Sequence, residues 1–289
     1  MRKLLVIVVA ATAVAGVTLA NQESPLPPRQ DSLKFAVIGD NGSGNKPQYD
    51  IGEQMAIARA RFPFEMVLML GDNMYGRQHA QDFVDKFERP YAALLEAGVP
   101  FFAALGNHDS QSNRFYKGFH MGGERYYTFA RKDVRFVVFD TNLMEPAQLA
   151  WIEDTLRRSP EEWKIAYFHH PLYSDGGRHG SNVELRVVLE PLLVRYGVDV
   201  VFSGHEHLYE RTTAQKGITY FIEGSSGQLR KGNMRPSPMT AAAFDQDQTF
   251  MLVEIAGDEM LFQTISRTGR IVDSGVIQRR RDEGRRGTL

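Results

Sequence analysis

Seven side chains with metal-binding oxygen or nitrogen atoms follow apolar runs, at the points where buried strands would end. They are Asp40, Asp72, Tyr75, Asn107, His169, His205 and His207. Carboxylate, phenol and amide oxygens are hard donors that suit Fe, Mn, Mg or Zn, and imidazole also binds Zn and Fe. One Gly-Asp pair alone would be weak support, because a carboxylate after a strand commonly caps a turn. The repetition of the pattern at five strand ends predicts a metal site.

The apolar runs that precede these donors are typical of buried strands. They cover residues 33–39, 66–70, 99–105, 163–168 and 198–203. Open α/β sheets place their chemistry at the C-terminal ends of such strands. Helical periodicity between the runs, followed by mainly strand-like segments after residue 218, predicts an α/β fold with two packed mixed β-sheets flanked by helices.

The remaining segments are assigned from apolar spacing and from helix-capping residues. Helices are predicted at residues 47–62, 82–96, 148–158 and 182–196. Pro90 is expected to break or kink the second helix, and Asn182 is expected to cap the last. Further strands are predicted at 125–130, 134–140, 220–222, 249–255 and 260–266, and residues 224–238 form a Gly- and Pro-rich loop.

The number of donors points to two metal ions, because seven ligands exceed what one tetrahedral ion accepts. If one carboxylate bridges, each ion receives four protein donors and keeps open positions for water and substrate. Two ions about 3.5–4 Å apart clamp the attacking and leaving oxygens of an in-line displacement at phosphorus. A hydroxide that bridges the two ions would then be the nucleophile.

The order of the donor motifs resembles that of a known family. The motifs are Asp-x-Gly, Gly-Asp-x-x-Tyr, Gly-Asn-His-Asp, His-x-Pro and Gly-His-x-His, between Phe35 and Arg211. This order resembles the calcineurin-like metallophosphoesterases, and more narrowly the small, single-domain purple acid phosphatases. In most of the superfamily the first motif is Asp-x-His, but this chain has Gly42 there, and Tyr75 can take the place of the missing ligand. The resemblance implies a four-layer α-β-β-α sandwich.

The resemblance also implies a ligand for each metal position. Asp40, Tyr75 and His207 would hold the first ion, Asn107, His169 and His205 the second, and Asp72 would bridge them. A phenolate ligand favours Fe(III), because the charge of the ion lowers the cost of deprotonating the phenol. The second ion would be Fe(II), Zn or Mn. The alternative for Tyr75 is a core aromatic residue with a solvated hydroxyl.

Three further residues are candidates for catalysis. His108 follows a ligand and is free to hydrogen-bond the phosphoryl oxygens, and Asp109 is expected to orient its ring. His179 lies on a glycine-rich loop where small members of the family carry a second histidine. We expect it to protonate the leaving alcohol, and a plain surface histidine is the alternative. His170 is expected to pack or to line the rim of the site.

The chain ends and the composition limit the location of the protein and its partners. Residues 1–20 are predicted to be a signal peptide, 21–32 a linker, 33–278 the catalytic domain and 279–289 a basic tail. This predicts a secreted or periplasmic protein; the alternative is a membrane anchor, if the signal is not cleaved. The chain has no cysteine and a net charge of −1, so disulfides and thiolate metal sites are excluded and a nucleic-acid groove is not indicated.

These observations favour a dinuclear, metal-dependent phosphomonoesterase that acts on small-molecule phosphate esters. A phosphodiesterase or nucleotide hydrolase would use the same metals, because the motifs specify phosphoryl transfer and not the ester. A metal- or phosphate-binding protein without turnover is the third hypothesis. His108 beside all seven donors argues against it, because a binding protein does not need that group. The sequence predicts no membrane span after signal removal, and it does not indicate an oligomeric state.

Overall fold

The computed structural model describes Leu26 and residues 29–280. The predicted signal peptide, residues 21–25, 27 and 28 of the predicted linker and residues 281–289 of the predicted tail lie outside the described residues. Within the described part, no helix combines the length and the apolarity needed to cross a bilayer.

The first sheet has six strands in the order β13-β12-β11-β1-β2-β3. Its strands are β1 (Leu33–Ile38), β2 (Met66–Met69), β3 (Phe101–Ala103), β11 (Thr249–Ala256), β12 (Glu259–Ser266) and β13 (Ile271–Gln278). Strands β1, β2 and β3 run parallel to one another, whereas β11, β12 and β13 extend the sheet by antiparallel pairing. The C-terminal ends of the three parallel strands therefore lie at one edge.

The second sheet has seven strands in the order β10-β8-β9-β7-β6-β5-β4. Its strands are β4 (Tyr127–Arg131), β5 (Val134–Val138), β6 (Trp163–Tyr167), β7 (Val200–Ser203), β8 (Tyr209–Thr212), β9 (Thr219–Glu223) and β10 (Thr240–Phe244). Strands β5, β6, β7 and β9 are parallel. The helices are α1 (Lys46–Arg59), α2 (Ala80–Phe83), α3 (Ala92–Glu96), α4 (Pro146–Arg158) and α5 (Val183–Arg195).

The two sheets pack face to face, and strand alternation divides the core into three layers. In β1, Phe35 and Val37 enter the core between the sheets, whereas Ala36 and Ile38 face the layer that contains α1. The Phe35 ring meets Phe136 of the second sheet edge-to-face, with 5.5 Å between ring centroids. Helices α4 and α5 cover the outer face of the second sheet. The predicted α-β-β-α arrangement of two mixed sheets is confirmed.

Some predicted elements have different bounds in the structure. The predicted helix 82–96 is three pieces, because α2 runs into a π-helical segment (Val84–Glu88) and α3 follows only after Pro90. A proline cannot donate the helical hydrogen bond, and its ring crowds the carbonyl of the preceding turn. Strands β8, β10 and β13 were not predicted, and in β13 Gly275 and Asp273 weaken the sequence signal for a strand.

Candidate metal centre

The loops that follow parallel strands of both sheets meet at the edge where these strands end. Asp40 follows β1, Asp72 and Tyr75 follow β2, and Asn107 follows β3, all from the first sheet. His169 follows β6, and His205 and His207 follow β7, from the second sheet. The structure thus brings together all seven donors that the sequence predicts, at the seam between the sheets.

Three of these donors form a first cluster. The Tyr75 hydroxyl lies 2.9 Å from Asp40 Oδ1 and 3.2 Å from His207 Nε2. His207 Nε2 is 3.3 Å from the same Asp40 oxygen. One phenol oxygen, one carboxylate oxygen and one imidazole nitrogen therefore converge on a single point.

Three other donors form a second cluster around His169. Its Nε2 lies 3.0 Å from Asn107 Oδ1 and 3.1 Å from His205 Nδ1. His169 Nδ1 lies 3.0 Å from the carbonyl oxygen of Leu70. If Nδ1 carries the proton and donates it to this carbonyl, Nε2 is unprotonated. Its lone pair is then directed at the cluster, as metal ligation requires.

Asp72 belongs to both clusters. One of its carboxylate oxygens lies within 4.8 Å of the donor atoms of Asp40 and His207, and Oδ1 is 3.5 Å from His169 Nε2. The backbone N–H of His108 also donates to Oδ1 at 2.8 Å, which fixes the carboxylate. A single carboxylate between two donor sets is the arrangement that a two-metal site needs.

Three of the seven donor residues have left-handed backbone conformations. The φ angles are +50° for Asp40, +52° for Asp72 and +71° for His205. Side chains other than glycine rarely adopt this conformation, and it concentrates at functional sites where surrounding structure enforces it. Two hydrogen bonds stabilise this conformation at Asp40: its N–H donates to Gly71 O at 3.0 Å, and its Oδ2 accepts from His205 N at 2.7 Å.

Two glycines are required because the loops lie so close together. A Cβ on Gly42 would stand 1.9 Å from Asn73 O, and a Cβ on Gly204 would stand 2.4 Å from Asp40 Oδ2. A histidine at position 42, as in the Asp-x-His motif, therefore cannot fit this backbone. The hydroxyl of Tyr75 stands beside Asp40 and His207 instead.

The electrostatics of the site suit cations. Asp40 and Asp72 are buried, and within the described chain no lysine or arginine comes within ion-pair distance of either carboxylate. Burial and then the Asp72 charge raise the pKa of Asp40. Burial and the same carboxylates raise the pKa of the Tyr75 phenol. Buried negative charge without a partner is costly, and divalent or trivalent ions would neutralise it, so the residues fit the expected metals.

The imidazoles are held neutral, which is the state that binds metal. Burial and neighbouring imidazoles lower the pKa of His169 and of His205. Burial and then the Arg230 charge lower the pKa of His207 to about 4. At neutral pH each of these side chains offers a nitrogen lone pair without having to lose a proton first.

His108 lies over the shared carboxylate, but Asp109 does not orient it. The His108 ring is half-exposed, 4.6 Å from the Tyr75 ring, with Nε2 3.9 Å from Asp72 Oδ2. Asp109 turns inward instead and accepts hydrogen bonds from Gly106 N, Asn73 N and Asn73 Nδ2 at 2.8–3.1 Å. The predicted role of Asp109 in orienting His108 is therefore wrong: its carboxylate braces the loops after β2 and β3.

His179 and His170 lie beside the second cluster. The His179 ring stacks on His205, with 4.1 Å between centroids, and burial lowers its pKa, which disfavours the protonated form that a proton donor needs. His170 stands 4.5 Å from His205 by ring centroids, and its Nδ1 lies 2.9 Å from Thr141 Oγ1. Both histidines thus lie against His205, one of the donors of the second cluster.

Two site residues escaped the sequence analysis. Glu206, between two of the donors, is completely buried, and its carboxylate accepts hydrogen bonds from His179 N, from Gly180 N at 2.7 Å and from Asn233 Nδ2 at 2.9 Å. It joins the His179 loop to the 224–238 loop. Arg230 lies on the second of these loops, and after burial its charge is the next cause of the lowered pKa of His207. An acidic residue inside an otherwise buried motif was the available signal for Glu206, whereas Arg230 had none.

The sequence of this chain matches those of known proteins. Residues 33–209 match the family model of the calcineurin-like phosphoesterases. The chain belongs to this family. It is 25% identical to human tartrate-resistant acid phosphatase type 5 in an alignment of 299 positions that covers 86% of this chain and 92% of that protein. It is 27% identical to purple acid phosphatase 3 of Arabidopsis thaliana over 271 residues, with 79% and 73% covered.

Solved structures show the same fold. Purple acid phosphatase PPD1 from yellow lupin superposes with a TM-score of 0.71 at 20% identity, covering 89% of this chain and 55% of that one. GAP50, the anchor in the inner membrane complex of Plasmodium, superposes with a TM-score of 0.75 at 18% identity, covering 87% and 90%. The family model and the acid-phosphatase relatives, together with the donor clusters, show that this calcineurin-like phosphoesterase is an enzyme of phosphate-ester chemistry with a dinuclear metal site, and that it resembles the purple acid phosphatases.

Proposed function

We propose that this phosphoesterase is a phosphomonoesterase of the purple-acid-phosphatase type, acting on small phosphate esters. The observation that carries the proposal is the shared Asp72 carboxylate between two donor clusters, with the half-exposed His108 ring above it. Asp40, Tyr75 and His207 would hold one ion, and Asn107, His169 and His205 the other. Asp72 would contact both.

The protein groups around the ions have separate tasks. When bound, the two ions activate water and neutralise charge on the phosphoryl group. His108 reaches the open side of the site and would donate a hydrogen bond to a phosphoryl oxygen. His179 would donate a proton to the leaving alcohol at acidic pH, where its lowered pKa still allows the protonated form. Asp109 would hold the loops that carry Asn107 and Asp72 in position.

The proposed occupant of the first cluster is Fe(III), because a phenolate ligand favours an ion whose charge lowers the cost of deprotonating Tyr75. The second ion is Fe(II), Zn or Mn. We expect purified protein with its metals counted to show a visible charge-transfer band that Tyr75→Phe removes. An unchanged band in that variant would contradict a phenolate ligand.

The ester preference is tested by comparing kcat/KM for 4-nitrophenyl phosphate and for bis(4-nitrophenyl) phosphate. We expect a strong preference for the monoester. A preference for the diester would assign the site to a phosphodiesterase or nucleotide hydrolase. No turnover of either ester with two metals bound would favour a binding protein.

Single substitutions test the two histidines. His108→Ala should lower kcat by about 100-fold with metal content unchanged, since it removes one stabilising donor. His79→Asn is the control, because His79 is exposed, caps α2 and is replaced by a good capping residue. If His179 protonates the leaving group, His179→Ala should impair alkyl phosphates much more than 4-nitrophenyl phosphate. Equal impairment would contradict that role.

We also propose that the chain is secreted or periplasmic, from the signal-like residues 1–20. N-terminal sequencing of the exported protein should find Asn21 first. An intact Met1 in the membrane fraction would support the anchored alternative instead.

A further inference from the structure

One nitrogen of the partly buried Arg230 side chain lacks a partner. Its Nη1 atom is buried and has no hydrogen-bond partner, and no ion pair involves its guanidinium in the described part of the chain. A guanidinium has five N–H donors and no acceptor, and a buried donor without a partner costs free energy. A group that is left in this state in a folded protein is available to a ligand.

The Arg230 charge acts on the metal centre. Its backbone N–H donates to the carbonyl of the donor residue His207 at 2.9 Å. The positive charge partly offsets the rise that burial and Asp72 cause in the pKa of Asp40. It adds to the lowering that burial causes in the pKa of His207 and of His179. The guanidinium therefore stands within electrostatic reach of the first donor cluster and of the proposed proton donor.

The loop that carries Arg230 is built into the site on both sides. Before Arg230, the N–H of Ser226 donates to Gly39 O at 3.1 Å, and a Cβ on Gly227 would stand 2.3 Å from Asn41 O. After it, Asn233 Nδ2 donates to the buried Glu206 at 2.9 Å. Arg230 is thus held between two anchors and does not hang from a free surface loop.

The other cations of this loop have different surroundings. Lys231 and Arg235 are exposed to solvent, and Nη1 of Arg235 also donates to Gly232 O and Met234 O, both at 2.8 Å. The unpartnered Nη1 of Arg230 is therefore not a general property of the cationic side chains in this loop. The difference lies in its position beside the metal centre.

We propose that Arg230 is a specificity-determining residue that binds the non-bridging oxygens of the phosphoryl group. This inference rests on the proposed function and deepens it. A planar guanidinium binds two phosphoryl oxygens at once, and its attraction is stronger for the dianion of a monoester than for the monoanion of a diester. Arg230 therefore favours monoesters over diesters. Inorganic phosphate shares the same chemistry and binds as the product.

The test compares Arg230→Gln with Lys231→Gln, which removes the same charge from the next residue of the same loop. The metals of each variant are counted, and kcat/KM is measured for both 4-nitrophenyl esters. A charge-assisted hydrogen bond contributes about 1.5–3 kcal/mol, or about 10- to 100-fold. We expect Arg230→Gln to lower monoester kcat/KM by that factor and diester kcat/KM by less than about threefold. Lys231→Gln should change neither.

A binding measurement separates substrate recognition from chemistry. Calorimetric titration of inorganic phosphate into the metal-loaded protein should show affinity about tenfold weaker for Arg230→Gln. Arg230→Lys should lie between this variant and the wild type, because it keeps the charge without the bidentate fork. If Arg230→Gln loses its metals or its fold, Arg230→Lys is compared with the wild type instead, by kcat/KM for the two esters and by phosphate affinity.

Two results would overturn the inference. One is an equal loss for both esters with phosphate affinity unchanged, which would indicate a structural role for Arg230. The other is wild-type behaviour in both Arg230 variants. A wild-type protein that prefers diesters, or turns over neither ester, overturns the proposed function instead, and phosphate affinity still decides the role of Arg230.

Discussion

Replacing Glu206 with alanine should release the two loops that cover the metal centre. The buried carboxylate accepts from the backbone amides of His179 and Gly180 and from the side chain of Asn233. Alanine removes all of these acceptors at once. Glutamine keeps an Oε1 acceptor for the two amides, and the Asn233 amide can turn to accept from the new NH₂ group.

The size of the effect follows from these hydrogen bonds. Each hydrogen bond to a charged group contributes about 1.5–3 kcal/mol, but the two amides share one oxygen and regain water when the loop opens. We therefore expect Glu206→Ala to lower the free energy of local opening by about 2–4 kcal/mol, and Glu206→Gln by about 1 kcal/mol. A loss of about 3 kcal/mol corresponds to a rise of about 100-fold in the open population.

Native-state hydrogen exchange measures this directly. The amides of His179 and Gly180 should exchange about 100-fold faster in metal-free Glu206→Ala, whereas the amide of Val253, in the centre of the first sheet, should not change. Metal-free protein is used because bound ions would add stability by mass action. Unchanged exchange at both loop amides would show that Glu206 does not hold the two loops together.

Three further predictions concern stability. Burial, the largest cause, raises the pKa of Glu210 to about 7 from 4.5. The contribution of Glu210 to stability is therefore full below pH 4.5 and is lost as pH rises through 7. In urea unfolding, the wild type should lose about 3 kcal/mol of stability relative to Glu210→Gln between pH 4.5 and 8, and parallel curves for the two proteins would contradict this. Gly42→Ala should lower Tm more than Gly76→Ala, because a Cβ on Gly42 meets Asn73 O at 1.9 Å, whereas a Cβ on Gly76 meets nothing within 4 Å and costs only the strain of its φ of +66°. Equal shifts would refute the close approach. Asn182→Ala should cost about 1 kcal/mol by removing the 3.0 Å cap on Leu185 N, and an unchanged urea midpoint would show that the cap does not stabilise the fold.

The donors and the sheets were predictable because both leave local signals. Apolar runs that end in Asp, Asn or His mark strand ends, and parallel strands collect their ends at one edge, so the convergence of Asp40, Asp72 and His169 follows from topology. Asn182 was predicted as a helix cap and makes that hydrogen bond. These features depend on residues close together in the chain or on the period of the pattern.

Features that depend on distant contacts were not predictable. The direction of the Asp109 side chain is decided by Asn73, Gly106 and Asn113, which offer more donors to its carboxylate than His108 does. The left-handed conformation of Asp40 comes from loops that are remote in sequence. In the sequence, nothing distinguishes Arg230 from other loop residues, because only the folded structure shows which cationic side chains have hydrogen-bond or ion-pair partners.

The position of the metal centre at the seam makes the packing between the sheets part of the reaction geometry. Asn107 belongs to one sheet, and its neighbour His169 belongs to the other. Any sliding of one sheet over the other changes the span between these two ligands, and the rigidity of the interior therefore sets the precision of the site. A residue such as Phe35, which lies in that interior, therefore contributes to the stiffness of the metal centre as well as to the stability of the fold.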